Sequence, residues 1–146
     1  MAKRWGLTEA SLTDPQAILP AGESLGRQTA AFYRDQPIGQ ALGFHFASEV
    51  TSEREFILCY HGLARFPAAY GVTGAEDPTL DFYRIHTTVE PMHGATSLAA
   101  IHAQAAVDPT LMAAVTAGAM AFMDGYGALF AALDAQCYGM EAEGGR

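Results

Sequence analysis

The chain has five histidines, and two of them stand in the octapeptide HTTVEPMH, residues 86–93, with a carboxylate between them. His86, Glu90 and His93 are spaced i, i+4 and i+7. An α-helix turns about 100° per residue, so the three side chains fall within a sector of roughly 60°. Two imidazoles and a carboxylate on one narrow face suit three roles: metal ligands, a buried hydrogen-bonding network, or an exposed polar stripe. Imidazole nitrogen with carboxylate oxygen is a donor mix for iron or manganese, and zinc also accepts it. One helix rarely completes a coordination sphere, so a second helix must face the first. Glu49 is the candidate from that second helix. It lies in ALGFHFASEVTSEREF with His45 one turn earlier on the same face and Phe44, Phe46, Val50 and Phe56 nearby. A carboxylate among such neighbours is costly unless it is paired or bound to a cation. Read alone, however, Glu49 also fits a surface position beside its polar neighbours, and His45 fits a core or rim position. His102 falls half a turn from the triad's face, and His61 suits the end of its helix, where an imidazolium complements the dipole. Cys59 and His61 are two residues apart and diverge on a helix, so no thiol–imidazole pair is activated there.

The elements that must carry these residues are helices. Apolar periodicity between proline and glycine stops predicts four main ones, over about 22–36, 37–66, 79–106 and 109–138. Pro37 suits the first position of the second helix, Asp77–Pro78 the start of the third, and Asp108–Pro109 the start of the fourth. Pro91 falls inside the third helix, between Glu90 and His93, and predicts a bend there. Residues 70–79, YGVTGAEDPT, read as a loop. No segment alternates as a strand does. The fold class is therefore all-α, with an N-terminal arm over 1–20, a helical metal-binding domain over 21–138 and a disordered tail over 139–146.

Composition narrows the partners. In 146 residues the formal net charge is -8, and the eight basic residues are scattered. Nucleic acid needs clustered Lys and Arg, so it is not an expected partner. No apolar run reaches the length of a membrane span, and the N-terminus has no apolar signal core. Cys59 and Cys137 read as buried thiols rather than a disulfide, and with the missing signal they predict a cytoplasmic protein. Half of the residues are hydrophobic and only 16% are charged. That is little polar cover for a small monomer, and it predicts apolar surface reserved for another chain.

Residues 82–101, FYRIHTTVEPMHGATSLAAI, resemble the signature helix of the haem-oxygenase-like iron-containing redox enzymes, in which His-x-x-x-Asp/Glu-x-x-His follows an aromatic pair. ALGFHFASEVTSEREF, residues 41–56, is similar to their middle helix with its glutamate ligand. Pyrroloquinoline-quinone synthase and thiaminase-like proteins share that fold with other chemistries, some without metal. The resemblance, over roughly 21–138, implies a haem-oxygenase-like helical bundle with Glu49, His86, Glu90 and His93 as metal ligands. It implies one or two Fe(II) ions, with O2 and a small molecule as substrates. Tyr60 and Tyr83 are candidate proton donors beside such a site. One departure matters. Family members are longer and carry an earlier Glu-x6-His pair, which no residue before Glu49 reproduces, so the chain resembles the C-terminal part of the fold with about four main helices. A partner chain could supply the missing helices, a second copy could cover the exposed faces, or His45 could take a ligand role in a reduced site. The alternative function is a non-enzymatic helical accessory protein, or a cofactorless oxidase of the same fold.

Overall fold

The computed structural model describes residues 6–139. Among them every regular element is helical. Six α-helices follow in order: α1 (Glu9–Thr13), α2 (Pro20–Asp35), α3 (Ile38–Arg65), α4 (Pro67–Tyr70), α5 (Asp81–Val107) and α6 (Leu111–Tyr138). The four long ones are those the sequence predicts, with ends displaced by a few residues. The predicted tail lies outside the described residues beyond Gly139, as do the first five residues of the arm. The rest of the arm forms α1, capped by Thr8, and one 3-10 turn over Pro15–Ala17.

Local chemistry sets the boundaries. Pro20 opens α2 at its first turn, where a missing N–H costs nothing. After α4 the chain reverses at Gly71, in the left-handed region with φ 65°, and the Gly71 N–H closes on the Pro67 carbonyl. The predicted loop before α5 is organised by Asp77, which is 1% exposed. One oxygen of Asp77 accepts from the Thr73 N–H at 2.8 Å and the other from the Thr79 N–H at 2.9 Å. Asp108 likewise accepts from the Thr110 N–H, but α6 begins two residues later than its proline suggests. α5 runs through Pro91 unbroken.

α3 is the central helix, packed along its length against both α5 and α6, with α2 lying on α6. Its contact with α6 is backbone to backbone. A Cβ on Gly43 would sit 1.9 Å from the Val115 carbonyl oxygen, and one on Gly118 would sit 2.0 Å from that of Gln40. Only glycine permits this approach. The core that α3 contributes is Phe44 and Ala47 against Phe122 of α6. Phe44 stacks on Phe32 of α2 at 4.4 Å and meets Phe122 edge-on at 5.1 Å. The glycine contact turns this side of α3 to α6. The opposite side, carrying Glu49, then faces α5.

Candidate metal centre

Glu49 and Glu90 meet between α3 and α5. Glu90 is 5% exposed, deep in the helix–helix contact, and Glu49 is part-buried. His93 stands at the edge of the same contact. Its Nδ1 lies 3.2 Å from Glu49 Oε2 and 3.5 Å from Glu90 Oε2. One donor atom each from Glu49, Glu90 and His93 fall within 4.8 Å of one another. These are three of the four residues singled out in the sequence.

The fourth, His86, stands on the other side of Glu90. Its Nε2 is 3.9 Å from Glu90 Oε1, the oxygen opposite the one that faces His93. The ring is held firmly. Its Nδ1 lies 2.5 Å from the Phe82 carbonyl one turn back, and Phe56 and Phe82 cover it at centroid distances of 4.4 and 4.3 Å. A carbonyl can only accept, so Nδ1 donates to it, and Nε2 is the nitrogen turned towards Glu90. This is how metal-binding histidines are usually oriented. Phe56 and the Phe82 carbonyl are supports that spacing arithmetic misses, since one acts across helices and the other through the main chain.

His45 lies beside Glu49, with Nδ1 3.5 Å from Glu49 Oε1, but outside the group of three. The same Nδ1 is 2.9 Å from the Tyr33 hydroxyl of α2. Burial pushes the Tyr33 phenol above its ordinary pKa, the Ser48 hydrogen bond pulls it down, and the Glu49 charge pushes it up. Tyr33 therefore keeps its proton at neutral pH. Tyr33 is the tyrosine nearest in function to the site, in place of the two candidates named from sequence. Tyr60 donates to the Ala75 carbonyl, and Tyr83 lies against the Phe56 and Phe82 rings, where burial raises its pKa. Cys59 is part-buried and Cys137 exposed, both unbridged, which corrects the expectation of two buried thiols. His61 lies against the Tyr60 ring.

The electrostatics of the carboxylate pair suit a cation. Burial raises the Glu90 pKa, the adjoining Glu49 carboxylate raises it further, and His93 and His86 pull it back. Glu90 Oε2 is buried and accepts no hydrogen bond. Two facing carboxylates with such an oxygen need a shared proton or a cation between them. The donor set of two carboxylates and an imidazole suits a transition-metal ion such as iron, manganese or zinc. A groove of about 340 Å³, lined by His45, Glu49, Met92, His93, Thr96 and Ser97, opens beside it.

A sequence model of the family described as iron-containing redox enzyme matches residues 1–127. The chain belongs to this family. Its all-α bundle is the haem-oxygenase-like architecture that the resemblance implied, and both site helices lie within the matched span. Family membership makes the chain a redox-enzyme homologue and a small molecule the expected class of substrate. No curated protein and no solved structure matches the chain. Among the described residues no helix is long and apolar enough to cross a membrane.

Proposed function

We propose that the chain is a non-haem iron oxidoreductase that uses O2 to oxidise a small molecule, with Glu49, Glu90, His93 and His86 as iron ligands. The observation that carries this reading is the buried Glu90 facing the part-buried Glu49 beside His93, their donor atoms within 4.8 Å and Glu90 Oε2 without a hydrogen bond. Glu49, Glu90 and His93 would hold one ion. Glu90 Oε1 and His86 Nε2 offer two donors for a second. The second ion would need further ligands, from solvent or from a second chain. Iron, when bound, supplies the redox centre and Lewis acid for O2 chemistry.

The chain's own groups have separable tasks. The groove beside His93 admits the small molecule, with Met92 as an apolar wall and Thr96 and Ser97 offering hydroxyls. His45 lines the groove, and its Nδ1 lies within reach of both the Glu49 carboxylate and the Tyr33 hydroxyl, so these groups together can deliver or accept one proton at the groove wall. Phe56 and Phe82 pack on the His86 ring and hold its orientation.

The test is metal analysis after anaerobic reconstitution with ferrous iron, on the wild type and on Glu90→Gln. The wild type should hold about one or two irons per chain, as helical carboxylate–histidine sites do. The variant should fold and lose them. Equal iron in the two proteins, or none in a well-folded wild type, refutes the ligand assignment.

A further inference from the structure

The close crossing of α3 and α6 at Gly43 and Gly118 is followed, further along both helices, by a hollow of about 380 Å³. It is lined by Glu55, Leu58 and Cys59 of α3 and by Tyr126, Phe130 and Leu133 of α6. None of these residues lines the groove beside His93. Glu55 lies about 9 Å beyond Glu49 along α3 and roughly 120° around it. The hollow continues along α6 past Phe130 and Leu133 into a further space of about 440 Å³ that reaches Tyr138. A mostly apolar hollow of this size with a few convergent polar groups has the form of a small-molecule site.

Charge selects the occupant. The Tyr126 hydroxyl donates to one Glu55 oxygen at 2.9 Å, across the two helices. Burial pushes the Tyr126 phenol and the Cys59 thiol up, and the Glu55 charge pushes both further. Both keep their protons at neutral pH, so Glu55 is the one charge in the wall of the first hollow. No Lys, Arg or His lines either space. Arg27, Arg34 and Arg84 pair with Glu23, Asp35 and Asp81 elsewhere, and Arg65 lies over Phe66. Arg54 is exposed, and its side chain leaves α3 about 100° from that of Glu55. A part-buried carboxylate against apolar walls without a counter-cation is destabilising, and a ligand that brings its own cation offsets this.

We infer that this hollow is a second ligand site, which takes an apolar molecule carrying a protonated amine at one end. The ammonium donates to Glu55, and the Tyr126 oxygen, whose own proton goes to Glu55, accepts from it. The apolar part lies against Leu58, Phe130 and Leu133 and extends along α6. The site is separate from the proposed iron centre and does not depend on it.

Cys59 stands in the wall of the hollow, so its accessibility reports occupancy. In a full-length Cys137→Ser chain, its modification by methyl methanethiosulfonate, followed by mass, should slow when octylamine is added. Octanol lacks the charge-assisted bond and should need about tenfold more for the same protection, and octanoate more still. Glu55→Gln should bring octylamine to the level of octanol, with helicity and the effect of octanol unchanged. Leu133→Trp, which fills the hollow and keeps the carboxylate, should abolish protection by both. Octanoate protecting as well as octylamine overturns the inference, and so does an octylamine preference that survives Glu55→Gln. A folded chain whose Cys59 reacts equally fast with and without octylamine also overturns it. A ligand-free chain of twice the 15.5 kDa chain mass, with Cys59 already shielded, gives the face to a second copy and overturns it too. Iron enters none of these readings, so failure of the iron centre would leave them standing.

Discussion

Replacing Gly43 by alanine should break the joint on which the bundle is built. The new Cβ would lie 1.9 Å from the Val115 carbonyl oxygen and 2.9 Å from Val115 Cα, both backbone atoms that no rotamer change can move. Ordinary contact begins near 3.4 Å, so α3 and α6 must separate locally by roughly 1.5 Å, and a gap of even 0.5–1 Å forfeits a quarter to a half of a dispersion contact. The Phe44–Phe122 edge contact at 5.1 Å lies on the same interface and opens with it. Overpacking of this kind costs about 1–3 kcal/mol, and a backbone clash belongs at the upper end. Alanine's better helix propensity offsets about 1 kcal/mol. The net loss is about 2 kcal/mol, or a fall in Tm of roughly 4–8 °C for a domain of this size. Gly26 is the control. It lies inside α2 with open space where its Cβ would go, so Gly26→Ala should gain about 0.5–1 kcal/mol. Urea unfolding followed by helical circular dichroism measures both. If Gly43→Ala proves as stable as Gly26→Ala, the close crossing of α3 and α6 is wrong, and with it the reason Glu49 faces α5.

Three further outcomes follow from the site. The Glu90 pKa is raised in the folded, metal-free chain, so folding takes up a proton between the unfolded value and that raised value; the stabilisation is full below this window and is lost as pH rises through it. The metal-free urea midpoint should therefore fall across that window, and Glu90→Gln should flatten the slope while abolishing iron retention; an unchanged slope would mean that Glu90 is not the titrating group. Phe56→Ala removes the ring packed 4.4 Å from His86 and should weaken iron affinity about 10–100-fold with the ligands intact, read by competition with a chelator. Tyr126→Phe removes the 2.9 Å bond to Glu55 between α6 and α3 and should cost about 1 kcal/mol in the same unfolding assay, with no change in iron content.

Much of this was written in local pattern. Pro37 and Pro78 mark where helices begin because the ring lacks an N–H and fixes φ, and those rules need no tertiary context. Asp77 could be read as a cap for the same reason: its partner Thr79 is two residues away. The angular clustering of His86, Glu90 and His93 also follows from helical geometry alone. What the sequence could not show is how the cluster divides. Only the packed structure buries Glu90 while leaving His93 at the groove, and turns one Glu90 oxygen to each histidine. Tyr33 reaches His45 from another helix, and Phe56 covers His86 across the α3–α5 contact. Neither pairing has a spacing signature, because helical periodicity says which residues share a face and is silent on which face meets which. That choice belongs to the crossing of α3 with α6, set by the absence of a Cβ at Gly43 and Gly118. Sequence alone thus determined the helices and the face that bears the candidate ligands. Tertiary packing decided that Glu49 completes that face, since the convergence of two helices depends on how closely a third lets their backbones approach.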